Sequence, residues 1–194
     1  MGNYIFVYWE AIQKGQVTVG KWIKIIYQIL IEGLQNGTWL FNEQKANKAI
    51  TFIENFCHHS EGRNDLLKLE LWQKAIVSAI FGIMDPETGY RQFREVFIVV
   101  ARKNGKSLFA AAISAYMAYI DGEYGAKIYF LAPKLDQANL VYDAFYQIVQ
   151  SDDELDSITK KRRSDIYIKA FNTSVKKIAF NSKKSDGFNP KSVS

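Results

Sequence analysis

The run A-R-K-N-G-K-S, Ala101 to Ser107, collects the groups that grip a polyphosphate. Such a grip needs backbone N–H groups turned toward the anion, with the positive end of a helix dipole behind them. It also needs a Lys that reaches the outer phosphates and a Ser or Thr hydroxyl on Mg²⁺. Lys106 and Ser107 suit those two roles, and Gly105 lets the backbone approach closely. Arg102 and Lys103 add positive charge, and an Arg fork can meet a γ-phosphate through two hydrogen bonds. Val100 stands where the pattern G-x-x-x-x-G-K-S/T has its first glycine. The tripeptide G-K-S alone is a weak signal, and its weight comes from lying between a strand and a helix. Upstream, Gln73 beside Trp72 offers the amide donor and acceptor that suit adenine. Taken alone, such a pair is more often plain helix surface and core.

The elements around these residues follow from periodicity. Val96–Val100 is a continuous β-branched and aromatic run, expected as a strand buried on both faces. A helix is expected from about Lys106 to Ile120, a second strand over Lys127–Leu131 and a second helix over Leu135–Gln150. That alternation predicts an α/β fold with a parallel sheet and flanking helices. Ile166–Lys169 and Val175–Phe180 read as later, half-exposed strands. Leu69–Gly82 reads as a helix, and Asp85–Gly89 as a turn.

The first 65 residues read as helical. Over 17–35, Val19, Trp22, Ile26, Ile29 and Leu34 share one face at helical spacing, and Asn36-Gly37 stops the helix. Asn42 caps a further helix through Phe56, with Ala46, Ala49, Ile50, Ile53 and Phe56 as its apolar stripe. The polar stretch Ser60–Asp65 is the expected boundary, which divides the chain into a helical segment (1–65) and a second domain (66–194).

The bulk properties set the class. The chain has 194 residues with 48% hydrophobic content, which fits one ordinary globular domain with a small appendage. The net charge of +5 mildly favours an anionic partner, and its excess lies in residues 151–194, with 10 basic and 6 acidic side chains. One cysteine, Cys57, excludes an internal disulfide and fits a reducing compartment. No run is long enough to span a bilayer, and the N-terminus lacks the basic region and cleavage site of a secretory signal, so a cytoplasmic chain without membrane association is expected.

Three further groups invite chemistry. Cys57-His58-His59 are metal-ligand types, but three adjacent residues do not close a tetrahedral site and no second cluster exists. Lys160-Lys161-Arg162-Arg163 suits DNA phosphate or a neighbouring subunit's ATP, though a short basic run is commonly a solvated loop. Asp152-Asp153-Glu154 beside Ser151 reads as acid at a helix N-terminus.

Three stretches carry a resemblance: L-E-L-W-Q-K-A-I-V-S-A-I-F-G, F-R-E-V-F-I-V-V-A-R-K-N-G-K-S and Y-F-L-A-P-K-L-D-Q-A. Together they resemble the large terminase subunit of tailed bacteriophages, an ATP-driven motor that packages double-stranded DNA into a preformed capsid. The resemblance implies a P-loop NTPase-type sheet after a small helical lead, and a variant Walker A loop that has an early Arg and no first glycine. It implies ATP and Mg²⁺ held by Ala101, Arg102, Lys103, Asn104, Gly105, Lys106 and Ser107, with Trp72 and Gln73 at adenine. Lys106 and Arg102 would act on the transferring phosphoryl, and Ser107 would ligate Mg²⁺. The implied partners are double-stranded DNA, a small terminase subunit, a portal on the procapsid and other copies in a ring, in the bacterial host's cytoplasm. D-G-F-N-P-K-S-V resembles the approach to the Walker B strand, and the acidic pair that ends it is not within the 194 residues. An N-terminal piece of a longer motor is expected, incomplete at its C-terminus, with weak nucleotide binding and negligible hydrolysis. The competing readings are another P-loop ATPase such as a helicase-like translocase, and a non-catalytic module for oligomer or partner contact.

Overall fold

A computed structural model describes residues 2–59, 65–179 and 191–193, the last three as backbone only. The chain divides into two compact units, residues 1–52 with 68–99 and residues 53–67 with 100–194.

The first unit is built from helices. Asn3 opens α1 (Tyr4–Gln13) by accepting the Ile5 N–H at 3.0 Å. Helix α2 (Lys21–Gln35) ends at Asn36, and Gly37 follows with a left-handed φ of 79°. The two residues of β1 (Leu40–Phe41) pair antiparallel with β2 (Ile83–Met84). Asn42 accepts the Lys45 N–H at 2.9 Å and starts α3 (Glu43–Phe56), as its position predicts. Ala46, Ala49 and Ile50 of the expected α3 stripe are buried, and so is Ile53 in the second unit. Helix α4 (Leu71–Gly82) leads into β2. The core joins Ile5, Tyr8 and Ile12 of α1 to Tyr27, Leu30 and Ile31 of α2, with Ala75 and Ile83. Tyr8 and Tyr27 meet edge to face at 4.8 Å, and burial pushes the Tyr27 phenol well above its ordinary range. A Cβ on Gly33 would meet the Trp39 ring at 2.5 Å, so only glycine lets α2 lie this close to that indole.

Of the five residues that share one face by spacing, Val19 and Leu34 pack against this core. Trp22, Ile26 and Ile29 point outward, and Tyr27, Leu30 and Ile31 fill the core instead. Apolar residues occupy most of the helix circumference, so spacing alone does not say which stripe faces inward.

The second unit is a mixed sheet with helices. Its strands are β3 (Lys127–Ala132), β4 (Thr159–Lys161), β5 (Ile166–Ile168), β6 (Thr173–Ala179) and β7 (Lys191–Val193), in the order β4-β5-β6-β3-β7. Strand β3 runs parallel to β6, with Ile128 opposite Val175, and parallel to β7. The β4–β5 and β5–β6 pairs are antiparallel. Helix α5 (Lys106–Tyr116) packs on α6 (Leu135–Gln150), and a short α7 (Asp153–Ser157) follows. Buried Phe130 of β3 lies against Tyr142 and Phe145 of α6, with ring centroids 6.4 and 6.0 Å apart.

This is the α/β fold with a parallel-containing sheet and flanking helices that the sequence predicts. One expected strand is missing from it. Val96–Val100 is irregular, with Phe97 93% and Val99 81% exposed. A strand needs a neighbour to satisfy its backbone N–H and C=O groups, and none of the described strands pairs with this run. Of the other expectations, Ser60–Asn64, Phe180 and the approach Asp186–Pro190 lie outside the described residues.

Candidate phosphate-binding site

The loop before α5 has an unusual backbone. Lys103 and Gly105 both sit in the left-handed region with φ of 66°, on either side of Asn104. For Lys103 this costs about 1–2 kcal/mol, because its Cβ crowds the following carbonyl. Asn104 pins the turn by donating from Nδ2 to the carbonyls of Ala101 and Arg102, at 3.3 and 3.4 Å. The sequence placed Asn104 in the loop but gave it no such task. Left-handed residues in a tight turn form a concavity of backbone N–H groups that suits an anion.

Gly105 is the N-cap of α5, and no side chain caps it. Phe109 donates to the Gly105 carbonyl at 2.9 Å, the first regular helical bond. The N–H groups of Lys106, Ser107 and Leu108 precede it and have no intrahelical acceptor. A Cβ at Gly105 would meet nothing within 4 Å, so the space in front of the turn is open. The first turn holds no acidic residue, and residues 101–106 are all exposed. Lys106 and Ser107 occupy that turn, with Arg102 and Lys103 just before it. Unpartnered N–H donors, a helix dipole, three cations and one hydroxyl fit a nucleotide polyphosphate with its divalent cation.

Behind this turn, α5 presents Ala111, Ala112 and Ala115 as buried residues, and their small side chains allow close packing within the unit. The helix then ends in a π turn over Met117–Asp121. Tyr119 shares a 2.7 Å hydrogen bond with Thr159 at the start of β4.

Trp72 and Gln73 belong to the other compact unit, on the first turn of α4. Gln73 is buried, and its Oε1 accepts the Glu70 N–H at 2.9 Å. That bond fixes the amide at the helix start. A carbonyl oxygen accepts two hydrogen bonds, so one lone pair and the NH₂ remain for another partner.

The other sequence candidates have local roles. Lys161 lies 3.9 Å from the Tyr146 ring centroid, and the Arg162 guanidinium lies 3.4 Å from that of Tyr167. Arg162 also donates its backbone N–H to the Asp165 carbonyl. Lys160 and Arg163 are exposed. Asp152 caps α7, accepting the Leu155 N–H at 3.0 Å, and Asp153 and Glu154 lie in its first turn. Cys57 is fully buried, and burial, helped by the negative charge of Asp152, pushes its thiol up to about 12. His58 lies on an isolated bridge with Leu66. Among the described residues no helix is long and apolar enough to cross a membrane.

With this geometry in view, relatives place the chain. The crystal structure of the HK97 bacteriophage large terminase superposes with a TM-score of 0.64 at 24% identity, over 75% of this chain and 29% of that one. At that identity the likeness speaks for the fold, and the chain spans less than a third of that protein's length. A search of curated proteins finds no match. The family model described as terminase large subunit, ATPase domain matches residues 71–194, well over half of the sequence. The chain therefore belongs to the ATPase-domain family of the large terminase subunit.

Proposed function

We propose that Ala101–Ser107 holds the phosphates of ATP with Mg²⁺, and that this binding serves a motor that moves double-stranded DNA into a capsid. The observation that carries the proposal is the uncapped N-terminus of α5, entered through left-handed Lys103 and Gly105 and ringed by cations. Membership of the terminase family supports the nucleotide and the DNA.

Each residue then has a task. The N–H groups of residues 104–107 cradle the inner phosphates, Lys106 Nζ neutralises charge on the outer ones, and the Arg102 fork reaches the γ-phosphoryl oxygens. Ser107 Oγ turns its lone pairs to the cation. Ser107 would hold Mg²⁺, which when bound would supply neutralisation of phosphate charge. Trp72 and Gln73 receive the adenine, with the Glu70 bond holding the Gln73 amide in place. The protein's contribution is positioning and charge neutralisation.

The 194 residues are proposed to bind nucleotide and to turn it over negligibly. Hydrolysis in this class needs a carboxylate to orient water, and residues 101–116 of the loop and α5 carry none. Residues 66–194 are read as the partial P-loop ATPase domain, and 1–65 as its helical lead. Compactness and function need not divide the chain alike, since α4 packs within the helical unit while the family match begins at residue 71. Small terminase subunit, portal and ring neighbours are proposed for the whole motor in the host cytoplasm.

Equilibrium titration of a non-hydrolysable ATP analogue with Mg²⁺ tests the site. The wild type should bind saturably, and Lys106→Ala should bind about 10- to 100-fold more weakly, the loss of a charge-assisted contact. Equal affinity for the two proteins would remove the assignment.

A further inference from the structure

Helix α2 carries an exposed apolar stripe that no described element covers. Trp22 is 66%, Ile25 43%, Ile26 50% and Ile29 52% exposed. Residues three, four and seven apart lie on one side of a helix, so these four form one continuous face. Isolated apolar side chains on a surface are ordinary, but a row of four large ones marks an interaction surface.

The polar residues beside the stripe say what fits it. Lys21, Gln28 and Glu32 lie along one edge at helical spacing, and all three are exposed. Lys21 Nζ stands 4.9 Å from the Trp22 ring centroid, so its charge sits at the border of the stripe. At the other end Glu32 accepts from Gln28 Nε2 at 2.8 Å. On the opposite side Leu30 and Tyr27 are buried in the chain's own core, and Ile23 beside them is 38% exposed. The exposed face therefore has one charged edge, positive at its start and negative about three turns later.

Such an edge is complementary to itself only when reversed. We propose that the α2 face binds a second copy of this chain, antiparallel across a two-fold axis near Ile26. Trp22 of each copy then packs toward Ile29 of the other, and Lys21 of each faces Glu32 of the other. A parallel pair would leave these charges on opposite sides of the seam, so charge selects the antiparallel arrangement. The contact is isologous, with one patch used by both partners. It uses no residue of the nucleotide loop and does not depend on that site.

Sedimentation of the full 194-residue chain tests this over concentrations from about 5 to 200 µM. The wild type should pass from monomer to dimer, and Ile26→Asp should stay monomeric. Lys21→Glu and Glu32→Lys should each weaken the dimer about tenfold, by turning two attractions into repulsions, and the double variant should recover wild-type affinity within about threefold. Both positions are exposed, and circular dichroism of each variant checks that the helices persist. A wild type that stays monomeric throughout overturns the proposal. So does a dimer indifferent to the single reversals, or one that the double variant fails to restore.

Discussion

The N-termini of α5 and α7 belong to the same compact unit and meet the same physical problem in opposite ways. Each helix begins with N–H groups that have no acceptor inside the helix. At α7, Asp152 supplies one, and Asp153, Glu154 and Asp156 place negative charge in the first turn. That end is satisfied by its own sequence. At α5 the cap is Gly105 without a side-chain bond, the first turn has no acid, and Arg102, Lys103 and Lys106 surround it with positive charge. An end that is uncapped, cationic and entered through left-handed backbone is arranged for an external anion. Two helix starts in one unit therefore separate a structural end from the end proposed to bind nucleotide, by cap and charge alone.

The contrast can be broken at either end. The largest effect should come from Lys106→Ala, with its 10- to 100-fold loss of nucleotide affinity. Gly105→Ala should come next. Its Cβ would touch nothing, so its cost is the left-handed φ alone, about 1–2 kcal/mol of stability, read as a lower denaturation midpoint. At α7, Asp152→Ala should cost about 1 kcal/mol of stability by loss of the cap, and leave nucleotide affinity unchanged. An affinity change as large as that of Lys106→Ala would abolish the distinction between the two ends.

The smallest effect concerns the helical unit. Asp85 Oδ1 accepts the Glu87 and Thr88 N–H groups at 2.8 Å each, and these bonds, that from Thr88 foremost, hold its carboxyl below the ordinary range. A lowered pKa means that the ionised form is favoured in the fold. The turn's contribution is therefore complete above the ordinary carboxylate range and fades as pH falls through the lowered value. Amide exchange at Glu87 and Thr88 should accelerate on acidification, and Asp85→Asn should weaken that pH response.

Local signals in the sequence carried far. Asn42 announced the start of α3, Leu135–Gln150 is α6 at its expected ends, and Asn36-Gly37 stopped α2 where expected. Each depends on a cap or a period within one element. What stayed hidden depends on partners. The Val96–Val100 run has the composition of a buried strand, yet strand formation needs a neighbour that composition does not supply. Which apolar stripe of α2 faces inward is not legible either, because two such stripes share that helix. At the site, the G-K-S tripeptide and its cations were legible, whereas the left-handed Lys103 was not. Positive φ is rare outside glycine, and the Asn104 side-chain bonds that hold the turn appear only in three dimensions.

The α5 start is proposed to bind phosphate through its own backbone, and amide NMR of the 194-residue chain probes those N–H groups one by one. On titration with a non-hydrolysable ATP analogue and Mg²⁺, the amides of Asn104, Gly105, Lys106 and Ser107 should shift saturably, while those of Asp153–Asp156 should not move. Unmoved amides at α5, or equal movement at both helix starts, would contradict the account.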